Sequence, residues 1–266
     1  MTVRVEKNGA VTTVIHSRAE ARNAMDPTSA EELVAAFEEF DRDPDAAVAV
    51  FWGEGGAFCA GWDLKYASSL KGKERPLGEL DFSDDFSAVP RGPMGPSRLQ
   101  LSKPVIAAIA GPAVAGGFEL ALWCDLRIME ESAYAGVYCR RWGVPLIDGG
   151  TVRLPRLVGQ GRALEIILTG RKVPAEECLR IGACEQVVPD GHSRQAAEAM
   201  ALEISRFPQG CMRADRRSVY LQHGLPVEEA LRVEWRNSSP MLSAEGLEGA
   251  TRFKDGKGRH GDFGNI

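Results

Sequence analysis

The chain has 266 residues, a net charge of −5 at neutral pH, and hydrophobic and charged fractions of 44% and 26%, ordinary for a protein with a substantial core, as one large domain or a core plus a smaller appendage. The acidic balance argues against broad binding to nucleic acid or an anionic membrane, and no apolar run reaches membrane-spanning length. Residues 1–7 carry neither a signal-peptide core nor a basic transit-like stretch, so a cytoplasmic location is expected. The six cysteines form no Cys-x-x-Cys pair and read as reduced, packed thiols.

In chain order, Val3–Val5 and Val11–Ile15 flank Asn8-Gly9, a hairpin signal. Asp26-Pro27 reads as an N-cap with proline in the first turn, and Leu33, Ala36, Phe37 and Phe40 recur at helical spacing. Glu31, Glu32, Glu38 and Glu39 form its solvated side. A strand over 47–52 is followed by a glycine loop turning into a helix near Leu64. Residues 66–101 are broken by Gly and Pro at every period, which marks a functional or irregular loop. Val105–Ala110 has the continuous apolar pattern of a strand buried on both faces; Gly111-Pro112 breaks it, and a helix apolar all round opens at Gly116-Gly117. Strand, glycine loop and helix thus occur twice.

The second pattern has chemical meaning. The first amides of a helix lack intrahelical partners and carry positive potential, and without a β-carbon at Gly116 or Gly117 an oxygen can approach them closely. Glu119, three residues on, returns to nearly the same helical face. It reads either as an acid/base residue with a pKa raised by apolar surroundings or as a cap on its own helix.

Ala57–Leu64 and Pro104–Leu120, extended by Cys124–Ile128 and Leu168-Thr-Gly170, resemble the crotonase (enoyl-CoA hydratase/isomerase) family over nearly the whole chain. The resemblance implies an α/β spiral of ββα units over residues 1–200, a helical region over 201–266 that builds a homotrimer or hexamer, and acyl-CoA thioester substrates. Coenzyme A would belong to the substrate, with no separate cofactor or metal. The oxyanion donors would be the amides of Trp62 and Gly116. The same resemblance puts substrate contacts at Arg18, Ala21, Arg22, Ala60, Asp63, Leu64, Lys65, Gly117 and Cys139, with Arg18 and Arg22 facing CoA phosphates. Phe82, Phe86 and Met94 would shape the acyl pocket.

The chain departs from the family at its second glutamate, where Cys139 stands. Cys139 reads as a small packed residue or, beside its arginines, as a nucleophile. Asp148 is the alternative catalytic partner to Glu119, or else the cap of a helix beginning near Gly149-Gly150. These readings imply a lyase acting on a 2-enoyl-CoA, alternatively a double-bond isomerase, or a catalytically silent binding subunit. Farther on, helices are expected over 160–168 and 174–181, a strand over 183–188, then helices over 192–206, 210–222, 226–237 and 244–253, ending in a basic tail.

Overall fold

The computed structural model describes residues 1–85 and 89–264. Val3–Asn8 (β1) and Val11–His16 (β2) form an antiparallel hairpin around Asn8-Gly9. Asp26 accepts the amide of Ser29 at 2.8 Å and starts α1 (Pro27–Arg42), whose buried face includes Leu33, Phe37 and Phe40. Val48–Gly53 (β3) then adds parallel to β2.

Leu64–Ser68 is a short helix, α2, capped by Asp63. Val105–Ile109 (β4) continues the sheet. Beyond Gly111 the chain forms a further strand, Pro112–Val114 (β5), where the sequence suggests only a turn; proline is tolerated there because it is the strand's first residue. Gly116–Trp123 (α3) follows, then Leu126–Glu130 (β6) and Tyr134–Gly136 (β7).

This alternation makes the spiral. β4 and β6 are neighbours in a six-stranded sheet, while β5 and β7 are neighbours in a three-stranded one. An earlier turn joins in, because Cys59 makes a lone parallel bridge to Ala113. Each turn therefore leaves the large sheet, touches the small one and returns through a helix, stacking loop upon loop at one end. Phe37 meets Phe51 and Trp123 edge-on at 5.5 and 4.9 Å, tying α1, β3 and α3 into one core.

Gly150–Val158 (α4) and Gln160–Thr169 (α5) follow. Val173–Pro174 (β8) pairs with β7, Ala175–Ile181 is α6, and Gln186–Val188 (β9) closes the large sheet. Ser193–Ser205 (α7) buries Ala197 and Ala201 against that sheet. Gln209–Leu221 (α8) docks through Arg216, which donates to Asp125 and to the Leu101 carbonyl at 2.7 Å.

The expected break after residue 237 is absent. Val227–Met241 (α9) runs through Pro240 into a π turn at Leu242–Gly246 and on to Leu247–Lys254 (α10). The wider turn takes up the irregularity in the hydrogen-bond ladder that proline introduces.

Candidate active site

Two segments distant in sequence meet where the stacked loops end. Met25 N–H donates to the Gly61 carbonyl at 2.7 Å, and Asp63 N–H donates to the Met25 carbonyl at 2.8 Å. Successive amides of an extended chain point to opposite sides, so the Trp62 N–H between them faces away from Met25. Gly61 has φ 94°, and a β-carbon built there would lie 3.2 Å from the Gly116 nitrogen. The Trp62 loop and the start of α3 are thus in contact. Among the described residues, neither amide donates a hydrogen bond within the protein.

The join is strained and tight. Ala115, just before α3, has φ 55° and ψ −127°, a conformation costing about 1–3 kcal/mol for a residue with a β-carbon. Its N–H donates to Gly136 at 2.8 Å, which holds the turn. A β-carbon at Gly117 would overlap the Cys59 carbonyl oxygen, so this glycine lets α3 sit directly on the first loop. At Gly117, then, the missing β-carbon serves packing.

A cavity of about 260 Å³ opens at this junction, with Ala60, Trp62, Met94, Gly116, Glu119 and Asp148 in its wall. Glu119 is 3% exposed. One carboxylate oxygen accepts the amides of Asp148 at 2.9 Å and Gly150 at 2.8 Å. Burial, then the nearby charge of Asp148, raises its pKa to about 7 against the pull of those two amides. Glu119 does cap a helix, but it is α4 rather than its own.

That finding corrects the capping reading of Asp148. The N-cap of α4 is Gly149, with no side-chain cap, and the orphan amides there turn to Glu119. Asp148 is 3% exposed; one of its oxygens accepts the Met94 amide at 3.0 Å and the Ser97 hydroxyl. Burial pushes its pKa up, while Ser97 and Met94 pull it down. The two carboxylates share one wall and interact electrostatically.

Cys139 also lines the cavity and is 6% exposed. Burial first, then the charge of Glu119, pushes its thiol pKa up against the pull of Arg140, so the group stays a neutral thiol at neutral pH. A neutral buried thiol fits the packing reading rather than the nucleophile.

The other anticipated contacts divide. Arg22, Ala60 and Leu64 line the cavity, whereas Ala21, Asp63, Lys65 and Gly117 stand behind or beside the wall. Arg18 is engaged within the protein: it meets Asp63 at 2.7 Å, Asp26 at 3.5 Å and the Ala24 carbonyl at 2.7 Å. Asp63 in turn accepts the amides of Lys65 and Tyr66. Arg18 thereby braces the loop that carries Trp62. Met94 lies in the wall, but Phe82 does not; it sits 46% exposed under the Arg98 guanidinium, and Phe86 lies outside the described residues.

Sequence reasoning missed Ser97 and Arg153, which hold the Asp148 segment, and Tyr138 and Trp142, which line the cavity. The two aromatic residues lie on a 3₁₀ turn, Tyr138–Trp142, where the helical spacing rule does not put them on one face, so the sequence held no signal for the pair. Among the described residues, no group of three His, Cys, Asp or Glu is placed to hold a metal ion, and no helix is long and apolar enough to cross a membrane.

Comparison with known proteins agrees with this architecture. The enoyl-CoA hydratase/isomerase family model matches residues 6–260. The enoyl-CoA hydratase EchA19 of Mycobacterium tuberculosis is 34% identical over 259 residues, covering 94% of this chain and 92% of that protein. A carnitinyl-CoA dehydratase of Salmonella heidelberg is 32% identical over 260 residues, covering 95% of each. The crystal structure of an enoyl-CoA hydratase from Mycobacterium tuberculosis H37Rv superposes with a TM-score of 0.85 at 29% identity, covering 96% of each chain. The chain belongs to the enoyl-CoA hydratase/isomerase family, within the crotonase superfamily.

Proposed function

We propose that the protein is a CoA-thioester lyase that adds water to, or removes it from, a 2-enoyl thioester. The observation that carries this reading is Glu119: a buried carboxylate on the cavity wall, poised near pH 7, on the helix whose first residue, Gly116, lines the same space. The thioester oxygen would accept hydrogen bonds from Trp62 N–H and Gly116 N–H, each such donor being worth about 3 to 4 kcal/mol of barrier. Polarisation there makes the β-carbon electrophilic. Water bonds to that carbon as Glu119 takes its proton; the enolate collapses and Glu119 returns the proton to the α-carbon. Asp148, ionised, keeps Glu119 basic by charge repulsion. No cofactor beyond the CoA of the substrate enters.

Crotonyl-CoA tests the proposal: ultraviolet absorbance of the conjugated thioester should fall, and the product should gain the mass of one water. A second reading is supported by the replacement of the family's second glutamate with Cys139 and the presence of Asp148: double-bond isomerisation, with one carboxylate shuttling a proton. A 3-enoyl-CoA or 2,4-dienoyl-CoA converted without mass change would select it. Binding without turnover of any of the three would select the silent subunit. The exposed apolar residues of α9 support assembly into a homotrimer or hexamer, which light scattering measures directly.

A further inference from the structure

We propose that Ser97 is a positioning residue for the active site, holding Asp148 as the ionised member of the carboxylate pair. The inference rests on the catalytic reading of the Glu119 and Asp148 wall. Ser97 belongs to a 3₁₀ turn, Pro96–Arg98, in the irregular segment before β4 and is 1% exposed. It is absent from the cavity lining, so it acts on substrate only through Asp148. Its hydroxyl donates to the same Asp148 oxygen that accepts the Met94 amide.

The surroundings are built around this hydrogen bond. A β-carbon at Gly92 would overlap the Ser97 hydroxyl and press within 2.5 Å of the Asp148 oxygen, so the Gly92 backbone seats directly against the pair. Arg153 spans the two segments from below, donating to the Asp148 carbonyl at 2.9 Å and the Ser97 carbonyl at 2.7 Å. Main chain and side chain of both residues are therefore fixed together across 51 positions of sequence.

Glu119 and Asp148 repel, so they cannot ionise independently, and the donors around each decide which releases its proton first. The charged groups acting on Asp148 are Arg98 and Arg153; Glu119 and the buried thiol of Cys139 line the same cavity, and the buried Cys59 thiol interacts with Asp148 electrostatically. Glu119 uses only main-chain donors, whereas Asp148 has a hydroxyl in addition to an amide. A hydroxyl donating to an ionised carboxylate favours the charged form, and this donor alone can be removed by one substitution.

Ser97→Ala, Asp148→Asn and the double variant test the proposal. Carboxyl-carbon NMR on protein labelled at aspartate follows the Asp148 titration, its resonance being the one absent in Asp148→Asn. The Ser97→Ala variant should raise that titration by about one unit, in keeping with the loss of a donor to the charged form. Activity should fall about ten-fold in kcat with KM unchanged, and Ser97→Ala should have no further effect in the Asp148→Asn background. An unmoved Asp148 titration overturns the proposal, as does an equal loss in both backgrounds, which marks a merely structural serine. If Ser97→Ala does not fold, Ser97→Cys, a weaker donor, enters the same titration with the same two outcomes. Failure of the wild-type protein to turn over any thioester would end the lyase reading, while the titration would still decide what Ser97 does to Asp148.

Discussion

The helices α3 and α9 both carry large apolar side chains, yet their surroundings are opposite. Every residue of Gly116–Trp123 is buried, Glu119 included, whereas none of Val227–Met241 is buried, although Val227, Leu231 and Trp235 are 76%, 58% and 68% exposed. In α3 an ionisable group is held where the loss of solvation penalises its charged form; in α9 apolar groups are held where water surrounds them. Each arrangement is unfavourable for a chain taken alone. The proposed reaction inside the cavity would account for the first, and the proposed assembly, by covering that surface, for the second.

The sharpest way to break this comparison is Glu119→Gln. The amide keeps the shape and one acceptor for the Asp148 and Gly150 amides but cannot take a proton, so kcat for hydration should fall by about 10² to 10⁴, the usual worth of a positioned acid/base group. An unchanged kcat for crotonyl-CoA removes Glu119 from the mechanism. The same variant tests the burial argument by its sign. A carboxyl whose folded pKa is about 7, above its unfolded value, stabilises the fold below the unfolded pKa and loses that contribution as pH rises through 7. The loss is on the order of 3 kcal/mol. Glu119→Gln should therefore melt several degrees higher than the parent at pH 8, with the gap closing toward pH 5; a constant gap contradicts it.

Gly117→Ala probes the seating of α3 on the first loop. Its β-carbon must displace the Cys59 carbonyl, which accepts the Val114 amide at 3.0 Å. Such overpacking typically costs about 1–3 kcal/mol of stability. Because Cys59 lies three residues before Trp62, the shift also moves one amide relative to the other, and kcat should fall more than KM rises. A stable variant with full activity would show that the contact does not set the amide geometry.

The parts of this design that were legible in the sequence are local ones. Asp26-Pro27, the strand Val105–Ile109 and the helix opening at Gly116 were readable because a cap, a continuous apolar run and paired glycines each act within a few positions, whereas β5, between that strand and helix, was not. Glu119 was found by helical spacing from Gly116. Its actual hydrogen-bond partners were not, since they lie just before α4 and at its first residue, about thirty residues on. The brace of Arg18 on Asp63 and the grip of Ser97 on Asp148 span 45 and 51 positions, and no period or motif encodes a contact between two loops. The continuity of α9 through Pro240 was hidden because proline signals a break locally, whereas here the chain absorbs it in the π turn that follows.

A smaller effect is expected from Asp148→Asn on the acid side of the rate profile. Removing the negative neighbour lowers the Glu119 pKa, so the acidic limb of kcat/KM should move below the parent's position near 7. Burial, the larger cause of the raised value, remains, so the limb should stay above the ordinary glutamate range. A limb that does not move shows that the two carboxylates do not share charge.

The smallest effect on the single chain should come from α9. Leu231→Ser and Trp235→Ser change exposed positions, so the intrinsic stability of the fold should shift by no more than about 0.5 kcal/mol. Their effect on assembly should be large by contrast, because apolar side chains at the centre of an interface carry most of its binding energy. Light scattering should show the parent as a trimer or hexamer and the double variant at the mass of one chain, with circular dichroism unchanged. If both proteins have the same mass, the exposed face of α9 does not hold copies together, and its contrast with α3 loses its explanation.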